Sequence, residues 1–396
     1  MSRSTPFGGT VDPAFAAVAH EFRNNFDVDE PDLGASLCVI AGRRVVVDVW
    51  GGWTDRTEAQ PWERDTLVDA YSVLKPVVAA MALLLVEVGD LSLDEPLAAV
   101  WPELSGERVS GLTLRDVLAH RAGLPAVRRH LEADAMYDWD AMCRALAETE
   151  PWWEPGTTHG YHVNTFGFLA GEPVCRRTGM TFGAALHEMV AGPFDLDLHV
   201  GLAEADLART ADVDTEPPSP ADGAEPDPAD VERAEAQLPD PDDAHAVMLL
   251  HTYFNPPGLS GVGVMNTIPW RQAAIPSTNG HATARGIAGF YEALLPGARD
   301  RLLSTTLLDE ATSTHSEGDD LVLGRPTRFG LGFALHQDAR PIGVSPASFG
   351  HYGYGGSLGF ADPDADVAFA YLINRPGDRW QNPRTIRLVQ AVAACA

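Results

Sequence analysis

The sequence predicts an α+β fold, in which an antiparallel sheet is built from both chain ends and flanked by helices, with a mostly helical region between. Three observations lead there. Strand-like runs stand near residues 35–52 and again near 356–375, helix-spaced segments fill the interval between them, and no internal repeat breaks the pattern. With 396 residues and 45% hydrophobic content the chain can bury a large core. It is expected to form one elaborated domain over 1–396, with a sheet region at about 1–71 and 320–396 and a helical region at about 72–319.

Residues 11–26 alternate apolar and polar positions at helical spacing. "ASLCVIAGRRVVVDVWGG" then reads as two β runs joined at Gly42 and Arg43, a hairpin. From Ser72 to Val88 the composition turns to Ala, Leu, Val and Met, with Pro76 in the first turn, where proline is tolerated, and Gly89 at the end. That is a buried helix. Residues 112–119, 138–149, 165–178 and 180–191 carry the same spacing. Residues 203–243 contain "DTEPPSPADGAEPDPADVERAEAQLPDPDD", too poor in apolar side chains to pack, and are expected to form a solvated acidic loop. "GSLGFADPDADVAFAYLINR" gives two more strands around an Asp-Pro-Asp turn, and a short helix ends at Ala394.

Composition excludes several classes of function. A net charge of −28 with no basic patch opposes nucleic acid and anionic membrane as partners. The longest apolar run, Val77 to Val86, is too short to span a bilayer, and the amino terminus lacks the order of a signal peptide, so the expected location is cytoplasmic. Cys38, Cys143, Cys175 and Cys395 form no Cys-x-x-Cys and read as reduced thiols. No cofactor or metal is expected.

Lys75 is the only lysine; of 28 lysines and arginines the other 27 are arginine. It lies three residues after Ser72, which puts hydroxyl and amine on one helix face. A serine needs an adjacent base to become a nucleophile, and a lysine can be that base once burial strips its proton. A guanidinium cannot, because it never deprotonates in a protein. A chain that uses arginine everywhere else would still need lysine here. Ser357 in "GGSLG" is a rival, since it matches the Gly-x-Ser-x-Gly elbow of other hydrolases. No histidine follows it, and the segment leads into a strand where an elbow needs a helix.

"SVLK" at Ser72 to Lys75, followed by "VEVGDLSLDEPLAAVWPEL" and "LTLRDVLAHRAGLP", resembles the class C β-lactamase and penicillin-binding-protein-like serine hydrolases, and within them the family VIII carboxylesterases. The resemblance runs from about residue 14 to 390, apart from the acidic insertion. "WWEPGTTHGYHVNTFGFLAGE" places Tyr161 at the tyrosine of the family's Tyr-x-Asn motif, and His351, Tyr352 and Gly353 match its Lys-Thr-Gly or His-x-Gly motif. The resemblance implies a β-lactamase/transpeptidase-like fold and an acyl-enzyme mechanism. Ser72 attacks, Lys75 and Tyr161 share the proton, and the amides of Ser72 and Tyr354 hold the oxyanion. A lysine ammonium beside Tyr161 is expected to lower the phenol's pKa toward the useful range. Two departures point to esters over β-lactams: Val163 stands where the motif has asparagine, with Asn164 one step later and pointing elsewhere, and His351 replaces a permanent cation.

The expected activity is therefore carboxylester hydrolysis on small or medium acyl groups. Acyl transfer, a β-lactamase or a D-amino-acid peptidase are the enzymatic alternatives, and a penicillin-recognising protein without turnover is the non-enzymatic one. Among lesser candidates, Trp152 and Trp153 can wall an acyl pocket, with Trp153 the substrate-binding choice beside His351, Gly353 and Tyr354. His281 in "STNGHATAR" is a candidate lining residue. His159 and His162 sit at i, i+3 with no ligand partner in reach, so they read as structural.

Overall fold

The computed structural model describes residues 4–215, 239–298, 301–378 and 381–396. Twelve strands are defined among them. β1 (Phe7–Val11), β2 (Gly34–Ala41) and β3 (Arg44–Gly52) come from the amino end. β7 (Ser316–Asp319), β8 (Pro326–Phe329), β9 (Ala334–Leu335), β10 (Phe349–Tyr352), β11 (Leu358–Asp362) and β12 (Val367–Ile373) come from the carboxyl end. These nine form one antiparallel sheet in the order β1-β3-β2-β12-β11-β10-β9-β8-β7. The chain ends meet where β2 pairs with β12, from Ala35↔Ile373 to Ala41↔Val367.

The β2–β3 hairpin turns on Gly42 and Arg43, both left-handed at φ +55 and +65, as a two-residue turn that follows strand twist requires. Alternation along the central strands sorts side chains by size. On β12, Phe369, Tyr371 and Ile373 face a core that also takes up Phe15, Val18 and Phe22 near the amino end and Leu388 and Val392 of the terminal helix Pro383–Ala393. Ala368, Ala370 and Leu372 face the larger core of the helical region. Small residues there let the helix Ala284–Glu292 lie close across β2, β11 and β12.

Beneath the amino-terminal helix Ala16–Asn24 a buried latch ties the two chain ends. Arg384 Nη1 meets Asp32 Oδ1 at 2.6 Å, and the Tyr371 hydroxyl donates to the other carboxylate oxygen. Burial holds the Asp32 carboxyl up at about 6 even with the guanidinium beside it. Removing one partner of a buried pair strands the other, so Arg384→Met is expected to cost about 3–5 kcal/mol at neutral pH, read from the urea midpoint. The loss should shrink as pH falls and Asp32 takes up a proton.

The structure departs from the sequence expectation in three places. A second sheet, β4 (Val68–Asp69), β6 (Gly280–Ala282) and β5 (Leu198–Val200), lies inside the region expected to be helical. β1 carries no strand signal in the sequence, because "FGGTV" shows no apolar alternation. Part of the expected acidic loop is packed: Glu204–Leu207 is a helical turn, Ala211 and Val213 are buried, and Asp214 accepts from Arg56 and Arg375. Residues 216–238 of that segment lie outside the described residues.

Candidate active site

β4 delivers the chain to a sharp corner. The Asp69 carboxylate accepts the Tyr71 amide at 2.9 Å and Ala70 N donates to Gly280 O, which holds Tyr71 at φ +50, a conformation that costs a non-glycine residue about 1 kcal/mol. Ser72 therefore sits in a 3-10 turn, Tyr71–Leu74, that runs directly into the helix Lys75–Glu87.

Lys75 is fully buried and its Nζ has three oxygen neighbours: Ser72 Oγ at 2.9 Å, Val163 O at 2.7 Å and Ser277 O at 3.1 Å. None is a carboxylate. Burial pushes the amine well below the ordinary lysine value. The two carbonyls can only accept, so they fix two N–H groups. The third neighbour fits either an ammonium donating to Ser72 or a neutral amine accepting the Ser72 proton. A proton can thus pass from hydroxyl to amine with no other contact rearranged.

Tyr161 is also fully buried. Its amide donates to Asp320 Oδ1, and its ring lies between Phe329, 6.0 Å away at 10°, and His351, 5.6 Å away at 23°. Lys75 Nζ stands 4.8 Å from the ring centre, over its face. The expected lowering of the phenol is reversed here: burial raises Tyr161 well above its ordinary value, and a hydrogen bond with Ser72 offsets this only in part. The same burial lowers the Lys75 amine, which weakens the charge expected to pull the phenol down.

The other motif residues assemble around this pair. His351 Nδ1 donates to Tyr352 O at 2.6 Å, which leaves Nε2 as a lone-pair acceptor, buried and without a hydrogen-bond partner among the described residues. Burial brings the imidazole down to about 3, so it is neutral. Gly353 passes so close to the nucleophile turn that a Cβ would stand 2.7 Å from Ala70 O. Tyr354 follows, half-exposed, its ring 5.3 Å from Tyr71. Among the described residues, neither the Ser72 nor the Tyr354 amide bonds outside its own turn.

Asn164 spends its amide inside the protein, donating to Thr252 O and Ser260 Oγ and accepting from Thr278. Val163 turns its carbonyl to Lys75 and packs its side chain with Trp153 and Tyr161. Trp153 is buried edge-on to His162, and Trp152 is stacked under Arg128. His162 has both ring nitrogens committed, to Gly160 O and the Leu124 amide, and His159 meets Thr327. No group of residues able to hold a metal occurs among the described residues. His281 is buried in the small sheet opposite Asp69. Ser357 is fully buried, its hydroxyl accepting the Ile373 amide at 3.3 Å.

Sequence reasoning missed the carbonyls of Val163 and Ser277, which carry no side-chain signature. It also missed His120, which packs on Tyr161 at 4.9 Å and accepts the His162 amide. Its place in "LAHRAGLP" was the available signal.

The β-lactamase family model matches residues 27–394. This chain belongs to the β-lactamase family. Esterase/beta-lactamase LipL of Mycobacterium tuberculosis is 32% identical over 382 residues, covering 93% of this chain and 82% of that protein. Among solved structures, a family VIII carboxylesterase superposes with a TM-score of 0.85 at 31% identity, over 99% of this chain and 100% of that one. A penicillin-binding protein homolog from Caulobacter crescentus gives 0.84 at 33% identity, again over 99% and 100%. The β-lactamase-family chain is a serine hydrolase with the sheet-and-helix fold of these relatives. No helix among its described residues is long and apolar enough to cross a membrane.

Proposed function

We propose that this β-lactamase-family chain is a carboxylesterase working through an acyl-enzyme on Ser72, with Lys75 as the base. The observation that carries the reading is the buried amine 2.9 Å from the Ser72 hydroxyl with no carboxylate among its partners. As Oγ bonds to the ester carbonyl, its proton goes to the Lys75 amine. The carbonyl electrons move onto oxygen, where the Ser72 and Tyr354 amides receive them. Tyr161, neutral, passes its hydroxyl proton to the departing alkoxide as the carbon–oxygen bond breaks, and the Lys75 ammonium, which holds the proton taken from Ser72, gives it to the phenolate. Water then repeats the sequence against the acyl-enzyme and frees the acid.

Esters are favoured over β-lactams because a neutral His351 offers no fixed cation to a substrate carboxylate, and the chain has apolar Val163 at the motif position of an amide-reading asparagine. Two relatives carry esterase or carboxylesterase in their names, which agrees with this reading. A fluorophosphonate should add once to the protein, and peptide mass analysis should place it on Ser72; a label on any other serine would end the proposal. Turnover of p-nitrophenyl butyrate should exceed that of nitrocefin by more than about tenfold, since forgoing one charged contact to a carboxylate costs at least that factor. The reverse order would make the protein a β-lactamase.

A further inference from the structure

The nucleophile corner carries a residue that its backbone does not favour. Tyr71, immediately before Ser72, stands at φ +50, a left-handed conformation that glycine takes freely and that strains a tyrosine. Its side chain has defined partners. The ring is buried 5.3 Å from the ring of Tyr354, tilted by 60°, and the hydroxyl meets Met265 Sδ at 3.2 Å. Tyr354 is half-exposed on the other side of that contact. The turn Tyr354–Gly356 is pinned from behind: Asn382 Nδ2 donates to Gly355 O at 2.6 Å, the Gly377 amide to the same oxygen at 2.9 Å, and Thr385 Oγ1 to Gly356 O at 2.6 Å. Toward the nucleophile it has no such ties. Among the described residues no hydrogen bond joins it to the turn Tyr71–Leu74, so the spacing of the two turns rests on packing, with Gly353 against Ala70 O and Tyr354 against Tyr71.

We propose that Tyr71 is a positioning residue for the oxyanion site, its ring setting where the Tyr354 amide stands relative to the Ser72 amide. The inference rests on the Ser72 hydrolase reading, in which those two amides receive the carbonyl electrons. Two donors stabilise an oxyanion only when both point at one atom. Here they belong to turns from opposite ends of the chain, and a tilted ring pair prefers one separation and one tilt. The left-handed backbone sets the direction of the Tyr71 side chain, and the ring contact passes that direction on to Tyr354. Strain at position 71 is thus held by the fold at the place where it aims a donor.

Kinetics on p-nitrophenyl butyrate and inhibition by butaneboronic acid read the placing of the donors, because the boron becomes tetrahedral on Ser72 Oγ and sets an oxygen where the oxyanion would stand. Tyr71→Leu keeps apolar bulk and loses the ring contact. Its kcat should fall about tenfold, short of the about 10²- to 10³-fold of a donor removed outright, with KM little changed and the boronate inhibition constant raised by the same factor as kcat falls. Tyr354→Leu breaks the contact from its half-exposed side, without opening the core, and should give the same shifts. The double variant should be no slower than either single one, since both remove one contact, whereas independent sites would multiply to about a hundredfold. Tyr71→Phe keeps the ring and should retain wild-type kcat and boronate binding, although it loses the Met265 contact. A ring that served packing alone would lower the urea midpoint of Tyr71→Leu and leave kcat and the boronate constant where they were. That result would overturn the proposal, as would losses that multiply in the double variant. A wild-type protein that neither cleaves the ester nor binds the boronate would end the Ser72 reading, and this inference with it.

Discussion

Alanine at position 72 is expected to lower hydrolysis of p-nitrophenyl butyrate by about 10⁵-fold, because loss of the nucleophile leaves only substrate binding and the oxyanion donors. The change removes one atom that bonds Lys75 and Tyr161 and supports no other element. The fold should therefore survive, with stability within about 1 kcal/mol of the wild type. Intact circular dichroism beside absent turnover is the pattern to look for. Ser357→Ala gives the opposite pattern. Its hydroxyl is sealed in the sheet, where it accepts a backbone amide, so losing it costs about 1 kcal/mol of stability and leaves the chemistry in place. If the two phenotypes were exchanged, the nucleophile would have to be reassigned to Ser357.

The sequence made Ser72 and Lys75 legible through two independent signals, helical spacing and the survival of a single lysine among arginines. Long elements were legible for the same kind of reason. The β2–β3 hairpin and the β11–β12 pair each alternate over enough residues to fix a face, and the helix from Lys75 is too apolar to lie anywhere but inside. What stayed hidden is short or made of backbone. β4, β5 and β6 have two or three residues each, below the length at which periodicity shows. The lysine's cradle is two carbonyls, at Val163 and Ser277, which any residue could supply. The direction of the Tyr161 shift is not legible in the sequence, because spacing reveals who a neighbour is and not how dry the contact is. An amine buried as deeply as the phenol is lowered by the same desolvation that raises the phenol, so burial outweighs the neighbouring charge. The packed stretch around Ala211 to Asp214 was masked by the acidic residues that follow it in sequence.

Lys75→Arg should reduce kcat/KM by at least about 10³-fold, although positive charge is conserved, since the guanidinium can donate to the carbonyls of Val163 and Ser277 but cannot take the Ser72 proton. The wild-type pH profile separates this role from a tyrosinate base. Burial has moved the Lys75 amine well below its ordinary range, so the rate should rise with one ionisation that falls below the ordinary lysine value and then stay level. Tyr161 lies well above its ordinary range and stays protonated throughout that plateau. A tyrosinate base would instead make the rate climb tenfold per pH unit up to pH 10 and beyond, and that slope would refute the assignment. The stability profile carries the same signature with a definite sign. Between the depressed value in the fold and the ordinary lysine value, the unfolded chain binds a proton at position 75 that the folded chain does not. The wild-type chain should gain stability with rising pH across that window, and a Lys75→Met chain should lack this component. Tyr161→Phe completes the comparison: the acid limb should remain where it was while kcat drops, because the residue lost is the donor to the leaving group and the base is still in place.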